Sequence, residues 1–373
     1  MRTINRHLWS APGRVIIAAL ALSLIAVSCS KERSLSPVPV HYRLYCAGSY
    51  GGQAVIEAID TESDSVTDVL TGFTTATSVG GMSLSTDGRY IGIIQSVSSF
   101  EPRPALVLDV RTHEVVAQLS SDINGLLFLS DGKRLLGICN DSTLVYSIPS
   151  FSLIDTWQVE LTLCREVPRT SWLIGVDRPP ASQGQQDRGL ITIFDQDTRV
   201  LRDSFRIDQH PGDFGFAVNG LEVFSDQKTL AAFSGNEVIR YDYINKHALY
   251  HAITDDDAFA NISVSPDESE IWITKYDLEI QIGHPYVGYL IVLNAKTGGV
   301  EDTIQTIGYR VDVPGKPVPV RSVIFHPSFS KAYVSAYSSR PGLIVIDRAT
   351  HEIDDALFKD IYHHTMWLDI APY

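Results

Sequence analysis

The chain has 373 residues, of which 44% are hydrophobic and 20% charged, and its formal net charge at pH 7 is −14. A chain of this length can hold one large β domain or two ordinary ones. Its acidic balance argues against a nucleic-acid partner, because binding a phosphate backbone needs a basic patch.

The N-terminus has the order of an export signal. Three arginines precede an apolar run from Val15 to Val27, and the small residues Ala26 and Ser28 stand just before Cys29. A basic segment, an apolar run and a small-residue cleavage site together indicate a secretory signal peptide. The run is shorter than the roughly 20 residues that a membrane-spanning helix needs. We predict removal of residues 1–28, which takes away three arginines and no acidic residue and gives a mature charge of −17.

This cleavage segment resembles the lipobox of bacterial lipoproteins, although Ala26 stands where that family favours Leu. The resemblance implies that Cys29 is acylated and becomes the first mature residue, so that lipid holds the protein at a membrane surface. Ordinary signal-peptidase cleavage is the alternative. Residues 29–40 are predicted to form an extended tether. Ser30 replaces the Asp of an inner-membrane retention signal and therefore favours the outer membrane or periplasmic face of a bacterial cell envelope.

An internal repeat of about 48 residues organises residues 41–373. Seven apolar runs each end in a short polar residue, and Ser, Thr or Asn follows three positions later. The closing residues are Asp60, Asp109, Ser147, Asp195, Asp242, Asn294 and Asp347. Such side chains hydrogen-bond the backbone ahead of them and specify tight hairpins. The period suits a four-stranded propeller blade.

A second turn type, such as Ser265-Pro-Asp267, precedes a further apolar run in six repeats, and the seventh copy is split between the chain ends. Ile370-Ala-Pro372 matches its first half, and Arg43 to Ala47 matches the strand that follows. We predict that the C-terminus supplies the inner strand of a blade that the N-terminus completes, which leaves no open edge. Its inward-facing residues are expected to be Met366, Leu368 and Ile370, or Trp367 if the register shifts by one.

These paired turns resemble the bacterial seven-bladed propellers of the YVTN-repeat and lactonase-like groups, which share a WD40-like arrangement. The resemblance spans Tyr42 to Tyr373, and Ala332-Tyr-Val-Ser-Ala336 is the nearest approach to the Tyr-Val-Thr-Asn signature. It implies an all-β, seven-bladed and monomeric β-propeller. Fold alone does not imply function, which has to be sought in the loops.

The candidate ligand-binding residues lie in long insertions that a propeller places on one face. They are Arg103, Arg178, His284, Tyr286, Tyr337, Arg340 and His363. Arginines there can grip a carboxylate or a sugar phosphate, whereas scattered surface arginines are the simpler interpretation. The histidines lack ligand spacing, and Asp255-Asp-Asp257 lacks an EF-hand pattern, so neither metal nor cofactor is predicted.

The three cysteines of the predicted domain show no CxxC pair and no haem-attachment pattern. Cys46, Cys139 and Cys164 are therefore expected to be small buried hydrophobes. A bridge between Cys139 and Cys164 in an oxidising periplasm is the alternative.

Two function classes remain. The first is a non-enzymatic envelope module that binds a protein, peptide or glycan through its long loops. The second is a hydrolase resembling the lactonase-like propellers, with its site at the channel mouth; a quinone-dependent dehydrogenase is a remoter third. The sequence favours the first, because no GxSxG elbow is present and Glu101, Glu166 and Glu279 show no evident partner.

Overall fold

The computed structural model describes residues 40–373 except 75, 77, 97–102, 160, 178–189, 208–217, 254–258, 277–287, 311–312, 318–319, 329, 337–341, 358–363 and 373. Only the backbone is described for residues 96, 259–260, 276, 307–310, 313–317, 336, 355–357 and 364–366. Within these limits, no helix is long and apolar enough to cross a membrane.

The described strands form seven four-stranded antiparallel sheets, which are the predicted blades. Blade 1 contains β1 (Tyr42–Tyr50), β2 (Gln53–Asp60), β3 (Ser65–Leu70) and β30 (His364–Pro372). Blade 2 contains β4 (Ser78–Leu84), β5 (Tyr90–Ser96), β6 (Leu106–Asp109) and β7 (Glu114–Gln118). Blade 3 contains β8 (Gly125–Phe128), β9 (Arg134–Ile138), β10 (Thr143–Ser147) and β11 (Leu153–Trp157). Blade 4 contains β12 (Thr162–Glu166), β13 (Trp172–Asp177), β14 (Leu190–Asp195) and β15 (Val200–Phe205).

The remaining blades follow the same plan, with one added hairpin. Blade 5 contains β16 (Gly220–Val223), β17 (Thr229–Ser234), β18 (Glu237–Asp242) and β19 (His247–Ile253). Blade 6 contains β20 (Phe259–Val264), β21 (Glu270–Tyr276), β22 (Gly288–Asn294) and β23 (Val300–Gln305). A hairpin of β24 (Ile307–Arg310) and β25 (Val313–Pro317) leads to blade 7, which contains β26 (Val320–Phe325), β27 (Lys331–Ala336), β28 (Leu343–Asp347) and β29 (Ile353–Leu357). The predicted seven-bladed all-β fold is confirmed.

The ring closes through blade 1, as the sequence predicts. β30 pairs antiparallel with β1, and Tyr42 lies opposite Pro372. Blade 2 accepts the end of this strand closely: Gly88 has φ +67°, and a Cβ there would lie 2.4 Å from the Pro372 carbonyl oxygen. The two chain ends therefore share one hydrogen-bonded sheet.

The predicted packing of Leu368 and Ile370 on β30 is confirmed, and Trp367, predicted as the alternative, also packs because a blade is buried on both faces. Leu368 and Ile370 pack with blade 7, where Tyr333 lies in the same cluster. Trp367 packs on the other side, with a cluster that blades 1 and 2 share. The register shifts beyond Trp367, where Ala47 pairs with Trp367 and Gly48 with Thr365, which leaves Met366 as the extra residue of a bulge.

Seven buried clusters fill the seven seams between adjacent blades. At the seam of blades 6 and 7, for example, Trp272 stacks edge-on against Phe325 with ring centroids 5.2 Å apart. Burying such side chains contributes about 1.5 to 3 kcal/mol each. The core therefore consists of seven apolar layers, one between each pair of adjacent blades. Because each blade packs on both faces, its second and third strands are almost continuously apolar.

The predicted hairpin chemistry is present between the third and fourth strands. In blade 5, Asp242 Oδ1 accepts hydrogen bonds from the backbone N–H groups of Ile244 at 3.0 Å and Asn245 at 2.8 Å. The residue four positions after the closing residue has positive φ in all seven hairpins. These residues are Asp64, His113, Phe151, Arg199, Lys246, Gly298 and His351. Each hairpin is thus a turn followed by a residue in the left-handed region and a bulge.

This left-handed position contacts the preceding blade, usually at a residue eight positions after that blade's closing residue. Two such contacts are ion pairs, Arg199 with Asp155 at 3.1 Å and Lys246 with Asp203 at 3.0 Å. In two others a histidine ring contacts an aspartate, His113 with Asp68 at 2.6 Å and His351 with Asp302 at 3.0 Å. Phe151 instead belongs to the cluster on which Ala117 packs. Gly298 leaves room for Tyr250, whose ring would lie 2.4 Å from an added Cβ.

Blade 1 departs from this pattern in a consistent way. Its left-handed residue is acidic, Asp64, and the residue at the corresponding sequence position of blade 7 is an aspartate as well. Asp64 turns instead to the second strand of blade 7, where it pairs with Lys331 and accepts a 2.9 Å hydrogen bond from the Tyr333 hydroxyl. The side chains that meet at a seam therefore differ from one pair of blades to the next.

A candidate site in the axial channel

The two faces of the propeller have very different connections. Strands alternate in direction within a blade, so the first-to-second and third-to-fourth connections share one face, here called the turn face. The first-to-second connections are five residues long in each of blades 2 to 7, and the third-to-fourth ones are four or five. The opposite face, here called the loop face, has connections from two residues at 51–52 to fourteen at 206–219. The predicted asymmetry is confirmed.

Most residues predicted to bind a ligand lie outside the described part of the chain. Arg178, His284, Tyr286, Tyr337, Arg340 and His363 belong to the undescribed loop segments, and Cys29 precedes residue 40. The structure therefore leaves their predicted convergence untested.

Arg103 is described, and its surroundings are ordered by polar contacts. It is half-buried on the loop face, next to Pro104. The Gln95 side chain donates to the Pro104 carbonyl at 2.5 Å and accepts from the Thr74 hydroxyl. A bridge from β5 to both neighbouring connections thus positions the Arg103 backbone.

The three described cysteines are free and buried, and they lie in three different seam clusters. The predicted role as small hydrophobes is confirmed, and Cys139 and Cys164 are not bridged. Burial raises the pKa of Cys164 to about 12, which leaves little nucleophilic thiolate at neutral pH.

The sequence showed no partner for the Glu166 carboxylate, but the structure gives it hydrogen-bond donors. Glu166, at the end of β12, accepts hydrogen bonds from the Ser130 backbone N–H at 2.6 Å and the Ser130 hydroxyl at 3.2 Å. It links the inner edge of blade 4 to blade 3. Among the described residues, no group of three or more His, Cys, Asp or Glu side chains is arranged to hold a metal ion.

Charged side chains from three inner strands meet in the channel. Arg165 on β12 donates through Nε and Nη2 to Glu222 Oε1 on β16, at 3.1 and 2.9 Å. Arg165 also acts electrostatically on Asp369 of β30. Blades 1 and 4 are not neighbours, so this interaction has to cross the axis. The inner strands thus carry one charged layer, in which Arg165 pairs with Glu222 and lies within electrostatic range of Asp369.

Asp369 has a distinctive environment within this layer. Its Oδ2 accepts from the Leu84 backbone N–H of blade 2 at 2.8 Å, and its Oδ1 from the Ile370 N–H at 2.9 Å. Burial raises the pKa of Asp369 to about 6, although these N–H groups and Arg165 act in the opposite direction. The carboxyl group therefore titrates near neutral pH.

A second cationic side chain lies toward the loop-face end of the channel. Arg321 is the second residue of β26, and its guanidinium carbon lies 5.6 Å from the centroid of the Trp367 ring. Trp367 is held by a 3.2 Å hydrogen bond from Nε1 to the Val79 carbonyl. The arrangement is a cation–π pair between the inner strands of blades 7 and 1.

These channel residues were not predicted from the sequence, although the sequence holds one signal for them. Arg165 and Glu222 both stand two positions before the first-to-second turn of their blades, at Val167 and Phe224. Opposite charges at equivalent positions of consecutive blades predict an inter-blade pair. The meeting of Asp369 with Arg165 across the axis depends on ring geometry, which a linear repeat does not reveal.

Comparisons with known proteins give the fold. No family model matches the chain, and no curated protein matches it by sequence. Solved structures do match. A hydrazine synthase of Kuenenia stuttgartiensis aligns with TM-score 0.55 and 16% identity over 74% of this chain and 79% of that one. The dihydro-heme d1 dehydrogenase NirN in complex with DHE aligns with TM-score 0.57 and 13% identity over 87% and 68% of the two chains.

A third structure is the β-propeller domain of Cps50 (Swd1) from Myceliophteria thermophila, with TM-score 0.59 and 10% identity over 83% of this chain and 98% of that one. At such identities the likeness concerns architecture alone. This chain therefore has a seven-bladed, WD40-like β-propeller fold.

Proposed function

We propose that this protein is an exported, lipid-anchored binding module of the bacterial cell envelope, which holds a protein, peptide or glycan partner on its loop face. The observation that carries the proposal is the contrast between the two faces. Turn-face connections vary by one residue at most within each set, whereas loop-face connections range from two to fourteen residues. Long irregular loops on a rigid scaffold are typical recognition elements.

The anchor is proposed from the N-terminal sequence alone. The apolar run and the small residues before Cys29 support export and lipid attachment. Metabolic labelling with a fatty-acid probe tests this: the wild-type protein is expected to incorporate label and the Cys29→Ser variant is not. Equal labelling of the two forms would show that Cys29 is not acylated, and the lipid anchor would be wrong.

The hydrolase alternative has one observation in its favour. Burial raises the pKa of Asp369 to about 6, and the group lies within electrostatic range of Arg165, a setting in which a carboxyl group can act as a general acid or base. Two of the solved structures carry enzyme names, but their low identity lends that alternative no further support. Turnover of simple lactones by the purified protein would favour it over binding alone.

The binding proposal is tested by removing loop-face side chains without disturbing the blades. Arg103, Tyr286, Tyr337 and Arg340 are changed together to alanine, and wild type and variant are used to capture partners from envelope extract. Interface aromatics and arginines often contribute about 2 kcal/mol or more, so capture is expected to be lost while the melting temperature is kept.

A matched control carries alanine at four exposed basic residues of the turn face, Arg111, Lys133, Arg169 and Lys296. It is expected to capture the same partners as the wild type. If the loop-face variant keeps every partner while the control loses them, the binding surface is the turn face and the proposal is wrong.

A further inference from the structure

We propose that Arg321 and Trp367 form a binding site for a carboxylate-bearing ligand on the wall of the axial channel, near its loop-face end. The proposal rests on the proposed binding function and names the chemistry that one part of this face would recognise. It assigns that recognition to inner-strand residues in addition to the long loops.

The Arg321 backbone and the Trp367 ring are both fixed by hydrogen bonds. The Thr274 hydroxyl of blade 6 donates to the Arg321 carbonyl at 3.0 Å, and Trp367 donates to the Val79 carbonyl of blade 2 at 3.2 Å. The guanidinium lies over a ring that is itself immobilised between two blades. The cation is therefore already placed before a ligand arrives, which lowers the entropic cost of binding.

The guanidinium of Arg321 differs from those of the half-buried arginines Arg165, Arg240 and Arg348. Arg165 and Arg240 each donate to a carboxylate or a carbonyl, and Arg348 donates to both Asp267 and Glu270. Arg321 is half-buried, and its guanidinium makes no hydrogen bond to any side chain or carbonyl that the structure describes. A guanidinium has five N–H donors in a planar fork that matches a carboxylate.

The position of Arg321 makes it reachable from the loop face. β26 begins at Val320, directly after the connection that holds the β24–β25 hairpin, so Arg321 is within one residue of that face. Asp369 follows Trp367 by two residues on β30, which places it about 7 Å deeper along the strand. A ligand entering from the loop face meets the cation first and the carboxyl group second.

This order selects the ligand chemistry. A phosphate with nearly two negative charges is repelled more strongly than a singly charged carboxylate by a protein whose net charge is −14. A ligand that pairs its carboxylate with Arg321 and directs a hydroxyl or ammonium group toward Asp369 satisfies both ends. Hydroxy acids and very short peptides, such as dipeptides, share this chemistry.

The experiment titrates purified full-length protein in detergent with gluconate, glycylglycine, glycylglycinamide and inorganic phosphate, using isothermal titration calorimetry. Gluconate and glycylglycine represent the two ligand sources, and glycylglycinamide lacks the carboxylate. At least one carboxylate is expected to bind, and Arg321→Ala is expected to weaken it roughly tenfold or more. Arg111→Ala, at an exposed turn-face position, is expected to leave the affinity unchanged.

Three outcomes would overturn the site: neither carboxylate binds at millimolar concentration, Arg321→Ala binds as tightly as the wild type, or phosphate or the amide binds as well as the carboxylates. Arg321→Lys keeps the charge and the stem, so it decides the question if the alanine variant does not fold. If the carboxylate site fails this test but the loop-face variant loses its partners, only the site is wrong and the proposed function stands. If the loop-face variant also keeps its partners, both proposals are wrong.

Discussion

At the scale of single residues, the seams depend on two positions per blade. The left-handed residue of each hairpin contacts the preceding blade through a basic or imidazole group on an aspartate in four seams, and through matched size in two. Both positions lie at fixed distances from the closing residue, so the pairs are visible in the sequence once the repeat is aligned. Their pairing requires knowing that consecutive blades touch there.

The seam of blades 5 and 6 offers a direct exchange. Gly298→Lys alone is expected to destabilise by about 2 kcal/mol or more, because its side chain meets the Tyr250 ring and a left-handed Lys costs about 1 kcal/mol. Tyr250→Asp alone loses ring packing and the 3.1 Å hydrogen bond to the Ala295 carbonyl. The double variant recreates the Asp203–Lys246 arrangement of the preceding seam, so a favourable coupling of about 1 kcal/mol is expected in urea unfolding.

Gly235→Lys is the matched control for this exchange, since Gly235 also has positive φ and an added Cβ there meets nothing within 4 Å. It is expected to show only the backbone cost and no coupling with Tyr250→Asp. Strict additivity of the Tyr250 and Gly298 changes would show that the two positions do not recognise each other.

Asp369 gives a second residue-scale prediction, with a definite pH dependence. Its folded pKa of about 6 is raised above the unfolded value near 3.9. The folded state therefore binds this proton more tightly, and the associated stability is present below pH 4 and lost as pH rises through 6. Asp369→Asn removes the cost of ionisation, so its stability relative to wild type is expected to improve by about 1.4 kcal/mol between pH 5 and pH 8, which is part of about 3 kcal/mol over the whole titration.

Chemical denaturation of both proteins at several pH values measures this difference. Glu222→Gln serves as the comparison, because Glu222 is paired directly with Arg165 in the same layer. A difference between Asp369→Asn and wild type that is constant from pH 5 to 8 would mean that Asp369 does not titrate in this range.

At the scale of elements, the closing strand shows how far the repeat could be followed. The match of Ile370-Ala-Pro372 to the turns of other blades placed β30 correctly against β1. The bulge at Met366 and the two-sided burial of the strand were not predicted. A bulge adds a residue without a sequence signature, and a strand between two seams has no polar face from which a period of two can be recognised.

Deleting residues 366–373 is expected to unfold the whole propeller, because the loss is not confined to one end. The deletion removes Trp367, Leu368 and Ile370 from two seams, at about 1.5 to 3 kcal/mol for each large apolar side chain. It also removes the strand paired with Tyr42–Ala47. Since total stability is about 5 to 15 kcal/mol, circular dichroism and thermal melts are expected to show a molten or insoluble protein.

Deletion of an equal length from the predicted tether, residues 30–37, is the control and is expected to leave the melting temperature unchanged. A truncated protein that melts like its parent would indicate that β30 contributes little to ring closure.

At the scale of the whole molecule, fold and function were not equally accessible to the sequence. Blade number, strand order and ring closure follow from seven hairpins of one pattern, because each is encoded locally at Asp60 and its counterparts. The channel residues are separated by as much as 204 positions, between Arg165 and Asp369, and no local rule joins them. A sequence repeat therefore predicts the blades well, but it does not predict which side chains interact around the central axis.

Ring closure through a shared blade yields the last prediction, which concerns where the chain can be cut. Two circular permutants are made by joining Pro372 to Tyr42 with a five-residue copy of the turn at 265–269, which gives the connection the length found in blades 2 to 7. One opens the chain within the turn 129–133, and the other opens it in the connection 119–124 between blades 2 and 3. The first again divides a blade between the two termini, whereas the second starts and ends at complete blades.

In the first permutant the ends can separate only if the β8–β9 ladder breaks, because Gly125 to Phe128 pair with Ile138 to Leu135. In the second they separate by parting side chains at one seam, without loss of any ladder hydrogen bond. The first is therefore expected to melt within a few degrees of the parent, and the second several degrees lower and with reduced cooperativity. Equal melting of the two permutants would mean that seam packing alone closes the ring and that the shared blade adds no stability.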